Sequence, residues 1–173
     1  MGDWWRTVGD TVVEEFSDLP DAARLTRITV RLTLAATLGG VLGFERERSG
    51  KAAGLRTHML VALGAALFVL IPQQAGMPDG DLSRVMQGLV AGVGFLGAGA
   101  ILKGDADEEV KGLTTAAGLW LTAAIGVAAG LGREATAAVS TALALGILAT
   151  VPRVARYFER DSAKPPGRPK SGR

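Results

Sequence analysis

The chain has 173 residues, of which 48% are hydrophobic and 21% charged, with 24 glycines and a formal net charge of +2. It contains no cysteine and a single histidine, His58, which excludes a disulfide scaffold, a cysteine-ligated metal centre and chemistry that needs several histidines. Long apolar stretches separated by short charged loops predict one membrane-embedded domain rather than a soluble, nucleic-acid-binding one.

Residues 1–27 form an extension in which apolar side chains, beginning with Trp4 and Trp5, are interspersed with acids. This mixture predicts an amphipathic segment lying at the membrane interface. No basic start precedes a short apolar run with a cleavage site, so the segment does not have the pattern of a signal peptide. We expect an amphipathic N-terminal extension.

Five apolar segments follow, and each is about 17–20 residues long, enough to cross a hydrocarbon core about 30 Å thick as a helix. They run approximately over residues 28–44, 59–75, 85–102, 112–131 and 135–151. None has the alternating pattern of a barrel strand, so each span must satisfy its backbone as a helix. The sequence predicts an all-α membrane protein with a bundle of five transmembrane helices over residues 28–151.

The distribution of Lys and Arg predicts the orientation of these spans. Thirteen of the 19 bases fall in the loops and tail on one side, five fall on the other, and Arg31 lies inside the first span. The positive-inside rule therefore predicts an N-terminus outside and a C-terminus in the cytoplasm. Residues 152–173 are basic and rich in Pro, and we expect a disordered cytoplasmic tail near anionic lipid.

Glycines recur on the predicted spans at helical spacing. The run from Gly92 to Gly97 matches a dinucleotide-binding fingerprint, but it continues an apolar helix and has no acid about 20 residues later. Close helix packing is the better interpretation, because small residues four apart let backbones approach each other in a membrane. The predicted packing glycines are Gly39, Gly43, Gly88, Gly92, Gly94, Gly97, Gly99, Gly126 and Gly130.

Charged residues near the span ends are the candidate functional groups. Arg31, about one turn inside the first span, either extends its guanidinium to the outer surface or pairs with a carboxylate inside the bundle, for which Asp81 is the best candidate. Glu45 and Glu47 at the other end of the span are either an interfacial collar salt-bridged with neighbours such as Arg46 or weak ligands for Mg²⁺. No other cofactor is predicted.

The second and fourth spans begin with polar residues. Arg56, Thr57 and His58 are consecutive and point to different sides of a helix, which favours capping and loop anchoring, with an anion at the helix N-terminus as the alternative. Thr114 and Thr115 open the fourth span, where their hydroxyls can bond within the helix or to a neighbour.

An acidic loop precedes the fourth span on the predicted cytoplasmic side. It contains Asp105, Asp107, Glu108 and Glu109 but lacks the glycine and the spacing of a calcium-binding loop. A solvated loop is the favoured interpretation, and a weak divalent-cation site is the alternative.

Four stretches together resemble the MgtC/SapB family of bacterial inner-membrane proteins. They are residues 39–47 (GGVLGFERE), 53–58 (AGLRTH), 94–99 (GFLGAG) and 112–117 (GLTTAA) with Trp120 after them. Arg31, Arg84 and Gln87 also stand where the family pattern places them, and the resemblance covers about residues 28–150.

The resemblance implies a five-helix domain of the bacterial inner membrane whose members are linked to adaptation to low magnesium and, in pathogens, to survival inside host cells. Longer members carry a soluble cytoplasmic C-terminal domain, whereas about 22 residues follow the last predicted span here. We therefore expect the membrane domain alone.

Two functions are compatible with this pattern. The first is a non-catalytic regulator that binds membrane partners, either other inner-membrane proteins or a second copy in a homodimer, through glycine-lined faces. The second is a transporter or channel for a small ion, plausibly Mg²⁺, although no predicted span contains an interior acid. An enzyme is not expected, because no catalytic dyad or zinc motif is present.

Overall fold

A computed structural model describes residues 3–15, 21–103 and 110–162. Its helices are α1 (Asp3–Glu15), α2 (Ala22–Arg48), α3 (Leu55–Gln74), α4 (Asp79–Ala100), α5 (Leu113–Gly130) and α6 (Glu134–Ser162). A two-residue antiparallel hairpin, β1 (Leu102–Lys103) and β2 (Val110–Lys111), lies between α4 and α5. Over the described ranges, the fold is helical apart from this hairpin.

Four helices, α2, α3, α5 and α6, are long and apolar enough to cross a membrane. In α4 the first turns carry the charged and polar residues Asp79, Asp81, Arg84 and Gln87, which lower the hydropathy of that helix. Its second half is apolar and rich in glycine, and the helix packs against α3 and α5.

Helices α2, α3, α4 and α6 extend beyond their apolar segments at one end or both, because backbone hydrogen bonding continues into the polar ends, whereas α5 lies within its segment. At the start of α2, Asp21 is the N-cap and its side chain accepts a hydrogen bond from the Ala23 amide at 3.0 Å. The largest difference lies at the other end of the chain. Residues 152–162, expected to be disordered, are helical and continue α6 past Pro152. Residues 163–173 lie outside the described part.

The bundle is centred on α5, which contacts α2, α3, α4 and α6. Its main core consists largely of alanines, and such small side chains bring helix backbones close together. The buried residues of this core are Ala35, Leu42, Ala62, Ala66, Ile125, Ala129, Ala137 and Ala144. A smaller cluster of Ala65, Val93 and Ala123 joins α4 to α3 and α5.

Helix α1 lies apart from this core, since each of its residues is exposed. Trp4 and Trp5 contact each other edge to face, with ring centroids 4.2 Å apart. The helix coincides with most of the predicted amphipathic segment, and residues 16–20 of that segment are not described.

Candidate functional site

Two glycine pairs set the spacing of the helices around the site. A Cβ on Gly39 would lie 2.6 Å from the carbonyl oxygen of His58, and one on Gly43 would lie 2.7 Å from the Cα of Leu55. On α5, a Cβ at Gly126 or Gly130 would overlap the backbone of α3. Four of the predicted packing glycines therefore hold α2 and α5 directly against α3.

This close packing buries two polar side chains, Arg46 at the end of α2 and His58 in the first turn of α3. Their exposed fractions are 4% and 1%. The Nδ1 of His58 lies 2.9 Å from the carbonyl oxygen of Gly54, so this nitrogen donates and carries the proton in the neutral ring. The Nε2 of His58, and both Nε and Nη2 of Arg46, are buried without a hydrogen-bond partner.

Both side chains line one cavity of about 180 Å³ between α2, α3, α5 and α6. Thr114 is also part of the lining, and Gly118 allows α5 to pass close to the imidazole of His58. The rest of the wall is apolar, with Leu42 and Leu121 among its residues. The cavity is thus an apolar space in which a buried guanidinium and an imidazole nitrogen have unused hydrogen-bonding capacity.

The two glutamates beside this cavity have local partners. Glu45 accepts hydrogen bonds from Arg46 Nη1 at 3.3 Å and from Ser49 Oγ at 2.8 Å. Glu47 accepts from the backbone amide of Leu55 at 2.8 Å and so caps the start of α3. Among the described residues, no group of three or more His, Asp or Glu side chains is placed to hold a metal ion. The acidic residues Asp105, Asp107, Glu108 and Glu109 lie outside the described ranges.

A second polar cluster occupies the opposite end of the bundle, around Arg31. Its Nη1 donates to the side-chain oxygen of Gln73 at 2.9 Å and to the carbonyl oxygen of Gly130 at 3.1 Å. Its Nε lies 3.9 Å from a carboxylate oxygen of Glu134. Arg31 therefore bridges α2 to α3, α5 and α6, and the pairing with Asp81 considered from the sequence does not occur, because Glu134 and Gln73 are nearer.

Sequence reasoning did not identify Gln73 and Glu134 as partners. Each stands within a few residues of a helix end on the same side of the bundle as Arg31. The sequence does contain a signal for these partners, because polar residues at neighbouring ends of antiparallel helices lie close together. It would also have shown that Asp81 is one of several acids competing for the same guanidinium.

Other predicted polar residues lie outside the cavity lining. Five of them are exposed, namely Arg56, Thr57, Asp81, Arg84 and Gln87. Thr115 is buried, while Trp120 is half exposed and borders a smaller cavity of about 150 Å³ between α4 and α5. From the polar candidates, the structure therefore places Arg46, His58 and Thr114 around the cavity, with Glu45 paired to Arg46 beside it.

The remaining packing glycines lie on α4. Gly97 faces α5, where a Cβ would meet Ala116 at 3.4 Å. Gly88, Gly92, Gly94 and Gly99 are exposed and have no atom of this chain near the position of a Cβ, so they do not pack within the bundle as the sequence suggested. Gly88, Gly92, Phe95 and Gly99 share one helix face, and Phe95 is 80% exposed on it. We call these four residues the outer face of α4.

Several long apolar helices around an alanine core, with Arg46 buried at one end of the bundle and Arg31 partly buried at the other, define a multi-pass helical membrane protein. The chain belongs to the MgtC family, whose match covers residues 32–157.

Named relatives agree with this assignment. Protein SrpB of Synechococcus elongatus is 49% identical, across 61% of this chain and 64% of its own length. The "Putative magnesium transporter YhiD" of Escherichia coli K12 is 46% identical across 60% and 50% of the two chains. Protein MgtC of Brucella abortus is 44% identical across 72% and 51%. The chain thus spans between half and two thirds of these relatives. No solved structure matches it significantly.

Proposed function

We propose that this protein is a non-catalytic regulator of the bacterial inner membrane that binds membrane partners during adaptation to low magnesium or related stress. The outer face of α4 carries the proposal. Its three glycines leave the helix backbone open, and Phe95 projects from between them. Flat faces of this kind let a second helix approach closely in lipid. The partner is another inner-membrane protein or a second copy of this chain.

A five-span topology underlies this proposal, with the N-terminus outside and the C-terminus in the cytoplasm. It adds α4 to the four helices that are apolar enough to cross. The 13-to-5 distribution of bases supports the orientation. Reporter fusions after residue 27, in the 103–111 loop and after residue 160 should read outside, inside and inside. A different order would overturn the topology.

Single-cysteine cross-linking tests the regulator directly, because the chain has no cysteine of its own. Gly92→Cys places a thiol on the outer face of α4, and Leu143→Cys places one on the exposed side of α6 as the matched control. In membranes from cells grown at low magnesium, we expect Gly92→Cys alone to form adducts with a second copy or another membrane protein. Equal cross-linking at both positions would contradict the proposal.

A growth measurement complements the cross-linking. At Gly92 an added Cβ would meet no atom of this chain within 4 Å, and the space that this residue borders with Phe68 has room for a larger side chain. We therefore expect Gly92→Leu to leave the bundle folded while it blocks partner docking. We expect the variant to be present at normal abundance and to lose support of growth at low magnesium. Growth equal to that of the unsubstituted protein would count against α4 as the contact face.

Transport of a small ion, plausibly Mg²⁺, is the alternative, and the description of the Escherichia coli relative YhiD as a magnesium transporter favours it. Glu45 and Glu47 are the candidate weak Mg²⁺ ligands. Among the described residues the buried charged side chain is the cation Arg46, and the nearest carboxylate, Glu45, is partly exposed and paired with it, which disfavours a dication path. Uptake of Mg²⁺ by proteoliposomes, abolished in Glu45→Gln, would establish transport. Absence of uptake would exclude it.

A further inference from the structure

We propose that the cavity at Arg46 and His58 binds the headgroup of an anionic phospholipid. Two unpaired donors of one buried guanidinium, Nε and Nη2, belong to a side chain that lines this cavity. Buried donors without an acceptor are unfavourable, and the Glu45 carboxylate, which pairs with this guanidinium, engages only Nη1. A phosphate oxyanion supplies the two acceptors that a guanidinium fork requires.

The imidazole adds a second requirement for the ligand. Because Nδ1 of His58 donates to Gly54, Nε2 presents a lone pair and accepts a hydrogen bond. A headgroup that carries a hydroxyl, such as the glycerol of phosphatidylglycerol, satisfies this acceptor, whereas a choline headgroup has no hydroxyl to donate. Arg46 and His58 together therefore select a negatively charged headgroup with a hydroxyl.

The apolar wall of the cavity indicates that the ligand is a lipid rather than a free anion. Leu42, Leu121, Ala144 and Leu148 form much of this wall. The volume of about 180 Å³ corresponds to roughly six water-sized groups at about 30 Å³ each. A fully hydrated inorganic anion has no partners along such a wall, while the methylene groups next to a lipid phosphate bury apolar surface there.

The position of the cavity allows entry from the membrane. Arg46 lies two residues before the end of α2, and His58 lies in the first turn of α3. Both residues therefore lie close to the headgroup layer on the predicted cytoplasmic side of the membrane, where basic pockets between helices bind anionic lipids. Between α5 and α6 the lining includes exposed residues, namely Ala117 and Ile147, the latter 61% exposed. The cavity therefore reaches the lipid-facing surface of the bundle.

Lipid retention by the purified full chain tests this proposal. Delipidated protein is titrated with phosphatidylglycerol, with phosphatidylcholine and with inorganic phosphate, and bound lipid and melting temperature are measured. We expect phosphatidylglycerol alone to bind and to raise the melting temperature. In Arg46→Gln, affinity should fall by about tenfold or more, as expected for loss of a charge-assisted contact. Arg48→Gln is the matched control, because it removes the same charge from an exposed position in the same helix.

A second variant tests lipid binding if Arg46→Gln fails to fold. Ala117→Leu narrows the exposed mouth of the cavity and leaves Arg46 and His58 unchanged, and we expect it also to lose phosphatidylglycerol retention. Three results would overturn the proposal. They are equal affinity in Ala117→Leu and the unsubstituted protein, equal stabilisation by phosphatidylcholine, and stabilisation by inorganic phosphate without lipid.

Discussion

A single methyl group at Gly39 tests the packing of α2 against α3. A Cβ there would lie 2.6 Å from the carbonyl oxygen of His58 and 2.8 Å from the Cβ of Ala62. Heavy atoms in ordinary contact are separated by about 3.5 Å, so α3 would have to move by roughly 1 Å. The nearest obstructing atom belongs to the backbone, so a change of side-chain rotamer cannot relieve the overlap.

Gly39→Ala therefore combines two opposing effects. Alanine is favoured over glycine in a helix by about 1 kcal/mol, whereas overpacking costs about 1–3 kcal/mol. Gly92→Ala is the matched control, because open space surrounds Gly92 and only the helix-propensity gain applies. We expect the free energy of unfolding of Gly39→Ala to be lower than that of Gly92→Ala by about 2 kcal/mol.

The difference can be measured by unfolding both variants in mixed micelles of increasing SDS fraction, with helical circular dichroism as the signal. Gly126→Ala provides an independent second case, since its Cβ would overlap the carbonyl oxygen of Ala62. If Gly39→Ala and Gly126→Ala unfold at the same SDS fraction as Gly92→Ala, the close approach of α3 to its neighbours is refuted.

Three further substitutions probe the ends of the helices. Arg31→Gln removes the hydrogen bonds to Gln73 and Gly130, and we expect unfolding in SDS to require about 2 kcal/mol less free energy. Glu47→Ala leaves the Leu55 amide without its acceptor and should lower stability by about 1 kcal/mol. Exposed Arg48→Ala loses only a cation–π contact with Phe44 and should lower stability by less in the same assay. Gly112→Ala should lower the melting temperature, because the φ of Gly112 is +95° and its Cβ would overlap the Ala100 carbonyl.

Each of these expectations has a clear contrary result. Arg27→Gln removes a charge from an exposed position near Arg31. If it lowered the free energy of unfolding as much as Arg31→Gln, the loss would come from the charge and not from the hydrogen bonds that Arg31 makes between helices. Equal losses in Glu47→Ala and Arg48→Ala would contradict the capping role. An unchanged melting temperature in Gly112→Ala would contradict the left-handed backbone before α5.

The glycine run at residues 92–97 shows what a sequence pattern can and cannot predict. Its helical setting correctly argued against a nucleotide loop, because the residues continue α4. The pattern did not separate Gly97, which faces Ala116, from Gly92 and Gly94, where an added Cβ would meet no atom of this chain within 4 Å. Helical spacing places residues on a face, but which face meets a neighbour depends on where the other helices lie.

Arg31 and Arg46 show the same limit: the local sequence locates a polar residue, but the fold decides whether it is buried. Both were recognised as polar residues near the ends of an apolar span. The flanking sequence does not predict the burial of Arg46. This residue belongs to a run of four charged residues, which suggests an exposed position, yet only 4% of it is exposed. The glycines at positions 39 and 43 bring α3 so close that the end of α2 is covered.

The sequence by itself determined the helical membrane class and the family, because apolar length and short motifs are properties of consecutive residues. Tertiary structure alone decided which polar groups meet. Arg31 reaches Gln73 and Gly130 across sequence separations of 42 and 99 positions, and the cavity is formed by four helices. Such contacts arise from the spacing and rotation of packed helices, which depend on small residues across the whole bundle rather than on any one segment.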